Sequence, residues 1–218
     1  VENISRASAD QRAGRAGRTR SGHCLRLWTE RDHQARQAHE LPEIQSVDLA
    51  ETALMLKANG VKDIAAFPWV DPPVEKTLAR GLALLVDLGA LDGATGDLAP
   101  LGRRLLSFPV HPRYSRLMLA ANEYGCVAAA ALIAAVTSER NLLLRGRGSD
   151  VKDRRDKLLG DERGSDILRL MRAWLYAQGK SYDTAACADL GIHARTARQV
   201  GQLYDQFRSL AKGQGLDL

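Results

Sequence analysis

Aromatic residues are scarce, at 5% of the 218 residues, while Ala and Leu dominate. Both lose little conformational freedom on entering a helix, so this balance favours helices over sheets. Cysteine is scarcer still. Cys24, Cys126 and Cys187 are far apart, odd in number and free of any CxxC or Cys/His cluster. That excludes a disulfide framework and a zinc site and leads us to expect a reducing, cytoplasmic setting. No run of 18 apolar residues occurs, so no membrane-spanning helix is expected, and Val127–Val136, the most apolar stretch, reads as a buried helix. No signal peptide is recognisable; the chain opens on Val1 in mid-pattern and reads as a piece of a longer protein. The five histidines (His23, His33, His39, His111, His193) show neither metal-ligand spacing nor a Ser or Cys partner, so no catalytic or metal role is assigned to them. A GxxxxGK[ST] phosphate loop is absent too.

Charge is present but unevenly spread. Residues 1–40 carry +3, 41–109 carry −3, 110–160 carry +4 and 161–218 carry +1, for a total of +5. A polyanion would be sought at the first and third segments, although charge alone fits an ordinary soluble surface better.

Helix and turn signals alternate along the chain. Pro42 opens a unit in which Val47, Ala50, Ala53 and Leu54 recur at helical spacing, with Ser46 as the expected cap and Gly60 as the stop. After Pro72-Pro73 a second helix carries Leu78, Leu82, Leu85 and Val86 on one face and stops at Gly89. Asp92-Gly93-Ala94-Thr95-Gly96-Asp97 between two short apolar pieces is hairpin chemistry. Two helices followed by a hairpin is the order of a winged helix. Further helices are expected near residues 100–107, 113–124 and 126–137, from Ser165 with Leu168, Met171, Trp174 and Leu175 on or near one face, near 184–190, and last with Val200, Leu203, Tyr204, Phe207 and Leu210 at core spacing.

The segment Gln11-Arg12-Ala13-Gly14-Arg15-Ala16-Gly17-Arg18 is the strongest chemical signal. Arginines three apart share one side of a helix, and the planar guanidinium donates two parallel hydrogen bonds to phosphate without ever losing its charge. A disordered Arg/Gly tail is the plain alternative. Against it, the octapeptide occurs once and is followed at once by Gly22 and the alternating run His23–Trp28, which reads as a strand. Two weaker signals follow. The basic stretch with Arg145, Arg147, Lys152, Arg154, Arg155 and Lys157 could track an RNA backbone or be a solvated loop. Leu190–Arg198 reads like a helix-turn-helix with Arg195 and Arg198 near the start of its second helix, as likely ordinary surface arginines as nucleic-acid contacts.

The octapeptide resembles motif VI of superfamily 2 helicases in its DEAH-box form. The resemblance continues through Ser21–Trp28, Leu41–Gln45, Phe67-Pro68-Trp69-Val70-Asp71-Pro72-Pro73, Leu88-Gly89-Ala90-Leu91, Leu101-Gly102-Arg103-Arg104 and Phe108-Pro109, and weakens beyond about residue 140. It is closest to the bacterial branch that includes HrpB-like helicases. It implies a mainly α fold: residues 1–39 ending a second RecA-like α/β domain, a winged helix over 40–109, and a helical-bundle, ratchet-like domain over 110–218. It also implies that Gln11, Arg15 and Arg18 face the γ-phosphate of ATP as an arginine-finger set, with Arg12 structural or interdomain. Arg145, Arg147, Lys152, Arg154, Arg155, Arg195 and Arg198 would line a channel for single-stranded RNA, with DNA as a second candidate.

The chain departs from the family pattern in lacking a DEAH or DExH tetrapeptide as well as the phosphate loop; Asp161-Glu162-Arg163-Gly164 does not fit. The expectation is therefore a monomeric helicase piece without ATPase activity or cofactor of its own, whose parent uses ATP and Mg²⁺ and whose partners are RNA and the missing RecA-like domains. The rival is a stand-alone winged-helix or helix-turn-helix regulator, which leaves the octapeptide without a role. A protein-interaction adaptor explains the acidic middle segment and little else.

Overall fold

The fold is described from a computed structural model, which covers residues 3–139, 141–144, 148–160 and 164–218. Two compact units divide the chain, residues 1–83 and 84–218, with the division inside one helix. Among the described residues the structure is mainly helical and contains no strand longer than an isolated bridge.

The first unit holds α1 (Arg6–Gly14), α2 (Glu30–Gln34), α3 (Ala50–Ala58) and the start of α4 (Glu75–Asp87). α2 is one and a half turns long and owes its start to a reciprocal capping box between Thr29 and Asp32. The Thr29 hydroxyl and amide hold the Asp32 carboxyl below its ordinary range. α3 begins three residues later than its apolar spacing suggests, because Asp48 rather than Ser46 receives the first free amide, that of Ala50, at 2.8 Å. Ser46 instead donates to the Glu43 carbonyl. Gly60, at φ +86°, ends the helix as expected. Ala50, Ala53 and Leu54 are buried there. Gly81 on α4 lets the two helices touch, since an added Cβ would lie 3.1 Å from the Ala50 nitrogen.

The alternating run His23–Trp28 does not form the expected strand: residues 21–26 have no ladder, and Leu25 and Leu27 are 86% and 87% exposed. The physical reason is the lack of a partner. A strand's amides and carbonyls are satisfied by a neighbouring strand, and among the described residues of this unit none exists. A RecA-like remnant is accordingly not visible as a sheet.

The second unit begins with the end of α4, where Leu85 is buried and Val86, expected on the same face, is turned out. Gly89, at φ +71°, stops the helix and a minimal hairpin follows. Leu91 and Leu98 form its one bridge, Ala99 donates to the Ala90 carbonyl at 3.0 Å, and the Asp92 carboxylate accepts from the amides of Ala94 (2.9 Å) and Thr95 (2.8 Å). α5 (Pro100–Leu105) starts with proline at its first turn, and its Gly102 lies against the Ala90 carbonyl with no room for a Cβ.

The remaining helices are α6 (Pro112–Glu123), α7 (Val127–Ser138), α8 (Ser149–Leu159), α9 (Asp166–Gly179), α10 (Thr184–Asp189) and α11 (Ala194–Gly213). α7 is rich in Ala and apolar nearly all round, the pattern of a helix covered on most sides. It packs against α6, α9 and α11, so it forms the spine of the bundle. α11 is tied to its neighbours by aromatic edges: Phe207 to Tyr114 of α6 at 5.6 Å, and Tyr204 to Trp174 of α9 at 5.3 Å. Trp174 is fully covered and its indole N–H donates to the Ala197 carbonyl at 3.1 Å. α9 is rotated from the expected face. Arg169, Ala173, Trp174 and Ala177 point inward, while Leu168 and Leu175 are half exposed. The inward arginine is neutralised by Asp156 of α8 at 2.5 Å.

Candidate finger motif and nucleic-acid interface

α1 is set by its first turn. Ser5 accepts from the Ser8 amide at 3.1 Å, and the otherwise unpaired amides of Arg6 and Ala7 donate to the carbonyls of Gln37 (2.9 Å) and Ala38 (3.0 Å). Gln11 and Arg12 lie in the last turns of α1. The backbone then tightens into a 3₁₀ turn over Arg15–Gly17, with Arg18 still helical at φ −63°, ψ −40°. In such a turn residues three apart eclipse, so Arg15 and Arg18 stack along one ridge that Arg12 continues. Gln11, Arg12, Arg15 and Arg18 are exposed, and none of the three arginines is engaged by an acidic side chain among the described residues. Neighbouring arginines are used differently. Arg26 pairs with Asp10 at 2.6 Å and lies beside His33, and Arg36 stacks over Trp28 at 4.3 Å while donating to the Ile4 carbonyl. Gly22 closes the motif, because a Cβ there would overlap the Ala16 carbonyl.

The basic stretch divides when it folds. Arg145 and Arg147 lie outside the described residues. Lys152, Arg154 and Lys157 project from α8 into solvent. Arg155 turns inward, its Nε donating to the Leu190 carbonyl (2.9 Å) and its Nη2 to the carbonyls of Leu144 (3.1 Å) and Gly191 (3.4 Å). These carbonyls gather where the 142–144 segment runs beside the α10–α11 turn. There Leu144 donates to Gly191, His193 donates to Leu142, and Leu143 and Ile192 form a bridge.

The helix-turn-helix expected at Leu190–Arg198 has the right parts. Asp183 caps α10, Gly191 turns at φ +61°, and His193 caps α11 by accepting from the Thr196 amide. Arg195 and Arg198 are both exposed on the first turns of α11, and Arg198 donates to the Tyr182 carbonyl at 3.3 Å. Arg169, buried on α9, is barely legible in the sequence. Its one signal is an arginine four and five positions before the buried pair Ala173-Trp174, where an apolar face would be expected. Among the described residues no group of three or more His, Cys, Asp or Glu side chains could hold a metal, and no helix is long and apolar enough to cross a membrane.

Comparison with known proteins places this architecture. The model of the winged-helix helicase-associated domain matches residues 81–110, and that of the ratchet-like helicase-associated domain matches residues 111–174. The ATP-dependent RNA helicase HrpA of Escherichia coli (strain K12) is 35% identical over 99% of this chain and 17% of that protein. The HrpA homolog of Haemophilus influenzae is 33% identical over the whole chain and 18% of its own length. The pre-mRNA-splicing factor ATP-dependent RNA helicase prp22 of Schizosaccharomyces pombe is 35% identical over 95% of the chain and 18% of that protein. The chain thus spans less than a fifth of the length of these relatives, and they do not support the narrower HrpB-like expectation. The chain matches the winged-helix and ratchet-like helicase-associated domains over residues 81–174 and is similar over at least 95% of its length to the HrpA and prp22 ATP-dependent RNA helicases.

Proposed function

We propose that this chain works as one part of an ATP-dependent RNA helicase, supplying the arginine fingers of the motor and a wall of the channel that holds single-stranded RNA. The observation that carries the reading is the exposed ridge of Arg12, Arg15 and Arg18 on continuous helical backbone, with Gln11 just before it. Charge held in advance at a transferring phosphoryl group stabilises the transition state without reorganisation. In this reading Gln11, Arg15 and Arg18 meet the γ-phosphate of ATP, and Arg12 secures the neighbouring structure. The phosphate loop and Mg²⁺-binding carboxylate would come from elsewhere in the protein, since the chain has neither motif. Residues 1–39 would end a RecA-like domain, 40–109 form the winged helix and 110–218 the ratchet.

The RNA-facing groups are assigned as Lys152, Arg154, Arg195 and Arg198, together with Arg145 and Arg147. Arg155 serves them from behind by holding the turn before α11. Contacts of this kind act on the phosphate backbone, so binding should be sequence-independent and weaken steeply with salt.

The test is ATP turnover by the full-length protein. Arg15→Ala and Arg18→Ala are each expected to lower it by about 10³- to 10⁵-fold. Near-normal turnover in both variants overturns the finger assignment. Tight, sequence-specific binding of duplex DNA by the 218-residue chain would replace the helicase reading with that of a regulator.

A further inference from the structure

A hollow of about 370 Å³ lies between α9 and α11, within the size range of small-molecule sites, about 300–1,000 Å³. Its lining combines Trp174, Tyr182, Arg198, Tyr204, Asp205 and Arg208. Four features set it apart from an accidental dent. Ser181 and Tyr182 both have positive φ (51° and 57°), a region that bulky residues rarely enter. The Ser181 conformation follows from how α9 ends, with the Tyr182 amide donating to Ala177, but the second positive φ swings the tyrosine across to α11. There the absence of a side chain at Gly201 makes room for it; a Cβ would lie 2.8 Å from the Tyr182 hydroxyl. Arg208 lies over the Tyr204 ring, 5.5 Å from its centroid, and that ring is braced edge-on by Trp174. Arg198 spends one Nη on the Tyr182 carbonyl, which orients the rest of its fork.

We propose that this hollow is a seat for one unpaired nucleotide of the RNA strand, with the base against the Tyr182 and Tyr204 rings and its phosphate on Arg198 and Arg208. Aromatic faces accept any base, and guanidinium groups accept phosphate in a fixed geometry, so the pair of features suits a strand gripped without regard to sequence. Asp205 fixes the orientation. Its carboxylate stands close enough to Tyr182 to help burial push the phenol pKa up. It repels phosphate and accepts from base N–H groups, so the base faces Asp205 and the phosphate faces the arginines. The proposal rests on the RNA-binding reading above, and it adds Tyr182, Tyr204, Asp205 and Arg208 to the interface.

Two measurements on the 218-residue chain test it. Fluorescence anisotropy with a labelled unstructured 12-nucleotide RNA is expected to show Arg208→Gln and Gly201→Ala weakening binding by about tenfold, the scale of one lost stacking or phosphate contact. Lys212→Gln, which removes the same charge from the same helix outside the hollow, should change Kd less than twofold. Photo-cross-linking with 4-thiouridine-containing RNA should label the tryptic peptides 181–195 and 199–208. Arg208→Gln is exposed to solvent and leaves the core intact, so a fold-loss explanation applies only to Gly201→Ala, where circular dichroism would expose it. Wild-type RNA binding with labels elsewhere and an unchanged Kd in Arg208→Gln overturns the seat while leaving the RNA-binding reading intact. No RNA binding by the wild-type chain overturns both.

Discussion

Replacing Arg155 by Ala tests whether this residue belongs to the proposed RNA-binding surface or to the scaffold beneath it. Among the described residues the guanidinium donates to Leu190 at 2.9 Å and Leu144 at 3.1 Å, and at longer range to Gly191 at 3.4 Å. A hydrogen bond to a charged group is worth about 1.5–3 kcal/mol when its partner is left without a replacement. Two facts reduce the total: Arg155 is only half buried, so water can reach the carbonyls, and Gly191 already accepts from the Leu144 amide. The loss should therefore be about 2–3 kcal/mol. With a urea slope of about 1–3 kcal/mol/M, the unfolding midpoint of the affected unit falls by roughly 1 M. Arg154→Ala is the paired control, because Arg154 is exposed on the same helix; it should stay within about 0.5 kcal/mol of wild type. Arg155→Lys should recover only part of the loss, since an ammonium has no fork to span several carbonyls. The assay is urea unfolding followed by circular dichroism, with RNA affinity measured in parallel. The expected split is loss of stability in Arg155→Ala and loss of affinity without loss of stability in Arg154→Ala. Equal midpoints for the two variants would refute the assignment of Arg155 to the scaffold.

Two other outcomes follow from local geometry. Gly102→Ala should destabilise the second unit by several kcal/mol in thermal or urea unfolding, because its Cβ meets the backbone carbonyl of Ala90, which no side-chain rotation can relieve; a neutral variant would mean α5 does not pack on the hairpin this closely. The Asp92 carboxyl is held below its ordinary range chiefly by the Thr95 amide, then by the Ala94 amide. A lowered folded-state pKa contributes stability above the unfolded value, about 3.9, and loses it as pH falls through the folded value. The Thr95 and Ala94 amide resonances should therefore shift together only below about pH 4, and a midpoint at or above the ordinary carboxylate pKa would contradict the turn.

Much of the fold is legible in the sequence, and the reasons are local. Gly60, Gly89 and Gly191 stop helices because the backbone there needs positive φ, and the sequence marks the first two as stops. Ser165 capped α9 as expected, and the Asp92–Asp97 turn formed its hairpin. The misjudged places depend on partners distant in sequence. Period and composition marked α9 as amphipathic, but the face was misplaced because Arg169 is buried by an ion pair with Asp156, a neighbour that no periodicity reveals. The alternation in His23–Trp28 is a strand pattern without a second strand to complete it.

The candidate site divides the same way. By itself the sequence determined the ridge of the octapeptide: arginines at three-residue spacing with small residues between them line up because helical rise and turn alone align them. It also determined that these 218 residues contain no GxxxxGK[ST] phosphate loop. Tertiary structure alone decided which cations of the basic stretch face solvent. Lys152, Arg154 and Arg155 look alike in sequence, yet one of the three is committed to backbone carbonyls contributed by residues up to 36 positions away. Likewise only folding brings Tyr182, Gly201 and Arg208 around one hollow, because charge and shape at a surface are set by what the chain packs beneath it.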